Sequence, residues 1–135
     1  METRPVQLTS QERGFIVIVL EVAEEELNRQ WKRDCETPPP PFQTSYDYIM
    51  KASGINLAME ALMDAEDLCR ELGGEEAHIP VGILDVIGIN LERYARDEFD
   101  AAAIAWHARE VGEQQAAEWR AEGKAKAKEL AHRLR

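Results

Sequence analysis

Glu60, Asp64, Asp67 and Glu71 stand at i, i+4, i+7 and i+11 of one segment, with Glu66, Glu75 and Glu76 beside them and Arg70 as the opposing charge. On a helix this spacing makes one acidic stripe. Three chemistries suit such a row: holding a divalent metal, docking basic residues, and imitating nucleic-acid phosphates. A plainly solvated face suits it too, because three like-charge neighbour pairs cost only about 1 kcal/mol. Other reactive groups are sparse. His107 and Glu110 are three apart, as two metal ligands on a helix can be, but a di-iron bundle needs two Glu-x-x-His motifs and two more glutamates. The pair therefore reads as a surface ion pair. Serine occurs at 10, 45 and 53, far in sequence from any histidine and outside any glycine-rich elbow, so a catalytic triad has no signature. The chain has no phosphate-binding glycine loop.

A second acidic pattern, Glu21-Val22-Ala23-Glu24-Glu25, precedes the stripe. With Asp64-Ala65-Glu66-Asp67 it resembles the MazG-type all-α nucleotide pyrophosphohydrolases, in which an ExxE helix faces an ExxD helix. The resemblance implies a magnesium cofactor held by Glu21, Glu24, Asp64 and Asp67, a set of hard oxygen donors that suits this ion. Here the second motif is DxxD, four prolines separate the two motifs, and no residues beyond the acids match. A magnesium-dependent pyrophosphohydrolase is therefore the alternative reading. The first reading needs neither cofactor nor catalytic residue.

Charge favours binding. The 135 residues carry a net −10. Residues 1–117 hold 10 Lys and Arg against 23 Asp and Glu, a balance of −13, and residues 118–135 hold 6 against 3, or +3. An acidic body repels nucleic acid and anionic membranes and attracts basic surfaces. The basic end is expected to meet the acidic body of another copy. Met1–Ser10 lacks a basic start followed by an apolar stretch, and the longest apolar run, Phe15–Leu20, has six residues. A membrane span needs about 20. The expectation is a cytoplasmic protein with no membrane and no direct nucleic-acid partner. Cys35 and Cys69 are expected to be reduced, packed thiols, since a hairpin of the first two helices holds them roughly 40 Å apart.

Proline sets out the elements that must position these groups. All six prolines fall at Pro5, Pro38–Pro41 and Pro80, and proline breaks helix interiors. Thr9-Ser10-Gln11-Glu12 reads as a capping box. It starts a first helix over Ser10 to Cys35 with Ile16, Val19/Leu20, Ala23, Leu27 and Trp31 inward. The β-branched run Phe15–Leu20 competes as a strand, but the helical period continues to Trp31. The prolines form an extended joint. A second helix runs from near Ser45 to a glycine cap at Gly73-Gly74, with Leu57, Ala61, Ala65, Leu68 and Leu72 inward. Pro80 opens a third, with Val81, Leu84, Ile87, Leu91 and Tyr94 inward. Asp100 caps a fourth that continues to Leu134, with Ile104, Ala108, Val111, Gln115, Trp119, Gly123, Leu130 and Leu134 on one side. Its length of about 50 Å exceeds what the bundle needs, so its end projects. Gly54-Ile55-Asn56-Leu57 recurs as Gly88-Ile89-Asn90-Leu91, either by coincidence or as two helix restarts.

The expected fold is all-α, a helical bundle of three to four helices with a long C-terminal helix. Residues 1–135 form a single domain, 37–44 a proline-rich joint and 118–135 a projecting basic helix end. The expected function is non-enzymatic protein–protein interaction, as an assembly subunit or as an inhibitor covering a basic nucleic-acid-binding surface, with homo-oligomerisation. The expected partner-binding residues are the stripe Glu60, Asp64, Asp67 and Glu71 and, at the tail, Trp119, Lys124, Lys128, Leu130 and Leu134. Trp119 is the interface anchor, since tryptophan is enriched at hot spots.

Overall fold

The first helix begins where the capping box places it. Thr9 Oγ1 accepts from the Glu12 N–H, and Glu12 Oε1 accepts from the Thr9 N–H, so two of the orphan donors of a helix N-terminus are satisfied. A computed structural model describes residues 2–36 and 42–135, with Phe42 and Gln43 described in backbone only. Their elements are β1 (Thr3–Gln7), α1 (Ser10–Cys35), α2 (Phe42–Leu72), β2 (Glu76–Pro80), α3 (Val81–Ala95), α4 (Asp100–Val111) and α5 (Glu113–Arg133). The fold is an all-α bundle, with five helices rather than three to four. The run Phe15–Leu20 lies inside α1, as its longer period requires. Of the proline-rich joint, residues 37–41 lie outside the described residues, while 42–44 already belong to α2.

Two elements differ from expectation. β1 and β2 pair antiparallel, with Pro5 opposite His78 and Val6 opposite Ala77. Each strand is short, with Val6 in β1 and Ala77 and Ile79 in β2 buried, and Leu8 buried just past β1. The long fourth helix is two helices. Gly112 adopts φ 85°, a left-handed conformation open to glycine, and it separates α4 from α5. Arg109 in the last turn before this glycine is the usual helix-end pattern. α3 and α4 are separated too, by a turn in which Asp97 has φ 63°.

The core joins α1 (Ile16, Val19, Leu20, Val22, Ala23), α2 (Ile55, Ala58, Leu62) and α3 (Leu84, Ile87, Leu91, Tyr94). Phe99, Ala102 and Ala103 extend it, and Ala127, Leu130, Ala131 and Leu134 of the C-terminal end complete it. The tail therefore does not project. α5 folds back along α3 and α4, and Leu130 and Leu134, expected to meet a partner, are buried at home. On α4 the inward side is Ala102, Ala103 and His107, while Ile104 is exposed. The break at Gly112 removes the single straight helix on which the expected stripe depended. Cys35 is exposed rather than packed, Cys69 is buried, and both are free thiols. Among the described residues no helix is long and apolar enough to cross a membrane.

Candidate protein-binding face

α2 has two apolar faces, and the bundle buries the one with smaller side chains. Ile55, Ala58, Leu62, Ala65 and Cys69 turn inward. Of the expected inward stripe only Ala65 is buried; Leu57, Leu68 and Leu72 are 54%, 47% and 73% exposed. Alanine lets α1 and α3 approach closely, and the leucine face is left outside. Tyr46, Ile49, Met50 and Met63 are exposed on the same helix. At 100° per residue, Tyr46, Met50, Leu57, Ala61, Leu68 and Leu72 form one continuous row. Isolated exposed apolar residues are ordinary, but a contiguous row marks an interaction surface.

Glu60, Asp67 and Glu71 edge this row and Asp64 interrupts it; all four are exposed. Among the described residues none of the four enters an ion pair or a side-chain hydrogen bond, whereas their neighbour Glu66 does. Glu66 accepts from Ser10 Oγ at 2.7 Å and from Arg13 Nε at 2.7 Å. These bonds, the serine's first and then the arginine's, hold its carboxyl below the ordinary carboxylate value. Arg13 is itself buried and also donates to the Leu8 carbonyl. The acid with a structural duty is thus the one beside the stripe, and the stripe stays free.

The carboxylates of the magnesium reading are not brought together. α1 and α2 run antiparallel in a register fixed at both ends. Arg13 meets Glu66 at one end; at the other, Trp31 stacks on Tyr48 at 4.7 Å and the Tyr48 hydroxyl donates to Asn28 Oδ1 at 2.6 Å. Glu21 and Glu24 therefore stand level with residues 54–58, about two to four helical turns or roughly 10–20 Å along the helix from Asp64 and Asp67. Glu25 is held by Arg109, whose two terminal nitrogens donate to its two oxygens at 2.9 and 3.1 Å. Among the described residues no group of three or more His, Cys, Asp or Glu is placed to hold a metal. The residues present do not fit the magnesium site that the resemblance implies.

Along the seam between α2 and α3 lie two half-open cavities. One, of about 370 Å³, is lined by Ala23 and Leu27 of α1, Met50, Gly54 and Ile55 of α2, and Val86, Ile89 and Asn90 of α3, with Phe99. The other, of about 340 Å³, lies between Leu57, Ala61 and Leu68 of α2 and Pro80 and Ile83, with Glu60 and Asp64 on its rim. The repeated Gly-Ile-Asn-Leu motif acquires a place here. Neither copy starts a helix; Gly54 and Ile55 form one wall of the first cavity, and Ile89 and Asn90 the other. Asn90 is buried and donates from Nδ2 to the Val86 carbonyl at 2.8 Å. A Cβ on Gly54 would meet only Val86 Cγ2, at an ordinary 3.6 Å, so helix packing does not demand glycine there.

The basic end of the chain spends its charge within the molecule. Arg120 is buried; its Nη2 donates to the Tyr94 carbonyl at 2.7 Å and to Asp97 at 3.0 Å, and its Nε to Asp100 at 3.2 Å. Its guanidinium also lies 4.1 Å from the Tyr94 ring centroid. Lys124 donates to Asp97 at 2.7 Å, Arg133 pairs with Glu12 and Arg135 with Glu92. Lys128 is exposed, beside Glu92 and Arg96. The Tyr94 hydroxyl shares a 3.0 Å hydrogen bond with His107 Nε2. His107 is thus no surface partner of Glu110. Burial, and then Arg120, lower its proton affinity, and burial raises the Tyr94 pKa. Trp106 and Trp119 lie edge-on to His107 from either side of the Gly112 break. Trp119 remains 43% exposed, the one tail residue with the character of an anchor.

Comparison of the chain with protein-family models, with curated proteins and with solved structures found no match. The signals for what the sequence reading missed are nonetheless local. Gly112 follows the last apolar residue of α4, and Gly123 interrupts an alanine- and lysine-rich helix where only close approach of another group explains a glycine. Tyr94 is that group, because its hydroxyl stands 2.7 Å from where a Gly123 Cβ would sit.

Proposed function

We propose that this chain is a non-enzymatic protein-binding module that presents the outward face of α2 to a basic surface of another protein. The carrying observation is the concentration of exposed large apolar side chains on this one helix, beside four carboxylates that pair with nothing among the described residues. Apolar area supplies binding free energy at about 25 cal/mol per Å² buried. The carboxylates orient the encounter and raise its rate. A covering inhibitor of a basic surface and a subunit of an assembly both fit this face. Self-association through the tail has lost its support, because Leu130, Leu134, Lys124 and Arg133 are engaged inside the protomer.

The test compares the wild type with Leu57→Asp/Leu68→Asp as baits in extract of the source cells. The wild type should retain a basic protein in stoichiometric amount and the double variant should lose it, with both baits equally helical by circular dichroism. Retention of the same protein by both baits would sink the reading.

A further inference from the structure

We infer that the groove along the α2–α3 seam is a receptor for an amphipathic, basic helix of the partner protein. The inference rests on the protein-binding reading and names the element that binds. Its two cavities lie end to end, one at Gly54 and Ile89 and the other at Ala61 and Ile83. Counted along α2 and α3 these positions are about six to seven residues apart, or roughly 10 Å. Side chains about two turns apart on one face of a helix have this separation, so a single helix can place an apolar anchor in each cavity. The exposed flanks continue the apolar surface on both sides: Met50, Leu57 and Leu68 on α2 and Ile89, 56% exposed, on α3.

Charge states what the rest of that helix carries. The Ala61 end is rimmed by Glu60 and Asp64, with Asp67 and Glu71 beyond, none of them paired among the described residues. The Gly54 end is rimmed by Lys51 and Arg93 as well as Glu26. Glu26 is already engaged by Gln30 and Arg33, and Arg93 by Glu98. Unanswered negative charge is therefore concentrated at one end of the groove. The bound helix sets its lysines or arginines around the anchor at that end, which fixes its direction. A second copy of this chain suits the groove poorly, since its exposed apolar helix α2 carries the same unpaired acids. Gly54 keeps the floor of the first cavity open, because any larger side chain there extends into it.

The probe is a labelled model peptide of about 16 residues, with leucines recurring at i, i+4, i+7 and i+11 and lysines clustered at one end. Two relatives control it, one with serine for leucine and one with glutamate for lysine. Anisotropy in about 0.15 M salt should show the first peptide binding at tens of micromolar and both relatives at least about tenfold more weakly. Gly54→Leu fills the groove without altering charge and should weaken binding by a similar factor. Ile89→Asp serves as the second variant should Gly54→Leu disturb the fold, and Ile104→Ala on α4, exposed and away from the groove, should leave binding unchanged. Equal binding of the leucine and serine peptides, or indifference to both groove variants, overturns the inference. Dimerisation of the wild type that Ile89→Asp abolishes also overturns it, by making the occupant a second copy. If the peptide fails while the extract partner is still lost by Leu57→Asp/Leu68→Asp, the helix inference falls and the protein-binding reading stands. If the peptide binds but that double variant keeps the partner, the reading falls instead.

Discussion

At the junction of α3, α4 and α5 the buried cation Arg120 has two carboxylates and a carbonyl beside it, and the glycine at 123 makes room for a tyrosine hydroxyl. On the outward face of α2 four carboxylates have no partner among the described residues, and large apolar side chains are exposed. Both regions hold charge next to apolar surface. At the junction two nitrogens of the buried Arg120 find acceptors, with Asp97 and Asp100 themselves 48% and 51% exposed, and its Nη1 has no partner among the described residues. On the α2 face Glu60, Asp64, Asp67 and Glu71 enter no ion pair or hydrogen bond among the described residues, and this is the face proposed to meet another protein. The contrast also explains the tail: its positive charge is drawn to acidic groups, but those of its own chain, at Asp97, Asp100, Glu12 and Glu92.

If the junction holds the fold, removing residues 119–135 should abolish cooperative unfolding. The cut takes Arg120, Leu130 and Leu134 out of the core, and each leucine alone is worth about 2–5 kcal/mol against the roughly 5–15 kcal/mol that stabilises a domain. A thermal melt with a sharp transition in the truncated chain would break the comparison. Arg120→Ala should cost about 1–3 kcal/mol, since it leaves the Tyr94 carbonyl without its donor, while the half-exposed Asp97 and Asp100 are solvated and Asp97 keeps Lys124. Denaturant titration measures it.

Gly123→Ala sharpens the contrast through its sign. Alanine normally gains about 1 kcal/mol over glycine inside a helix. Here the new Cβ stands 2.7 Å from the Tyr94 hydroxyl, so a net loss of about 1–3 kcal/mol is expected. Gly54→Ala, with open space beyond a 3.6 Å contact, should gain close to the full helix-propensity difference. Two glycines with equal melting shifts would mean that the junction is no tighter than the groove.

Acid should act on the ion pairs that hold α5. The Arg133 hydrogen bond holds Glu12, and the Lys124 hydrogen bond holds Asp97, below their ordinary values of 4.5 and 3.8. A depressed folded pKa means that the unfolded chain binds the proton first. The stability these groups contribute is therefore intact above the ordinary values and is lost as pH falls through the lower folded ones. His107 adds an earlier decline: its folded pKa is below 6.5, so the unfolded chain is protonated first as pH drops from neutrality. Denaturation midpoints across pH should show both limbs. His107→Gln should flatten the upper limb and Asp97→Asn part of the lower one.

The smallest effect is expected where the sequence pattern most suggested a large one. Leu57→Ser and Leu72→Ser should move stability by no more than about 0.5 kcal/mol, while Leu62→Ala on the opposite side of α2 should cost about 2–5 kcal/mol. A large loss at Leu72 would restore the leucine stripe to the core.

Local chemistry sufficed for several of these elements. The capping box at Thr9 and Glu12 places the start of α1, Gly73-Gly74 the end of α2, and Leu84, Ile87, Leu91 and Tyr94 the buried side of α3. The helical period of Ile16 to Ala23 outweighs the β-branching of Phe15–Leu20, and the charge balance is a property of composition. These are statements about neighbours in sequence, and neighbours in sequence decide backbone conformation. Tertiary structure alone decided which apolar face of α2 is buried. Both faces have the helical period, and the choice went to Ala58 and Ala65 because small side chains let other helices pack close. It likewise decided that β1 and β2 find each other across the whole length of α1 and α2, and that the basic end returns to its own acids. Each of these outcomes depends on which distant segment arrives alongside, and periodicity and charge balance do not encode that.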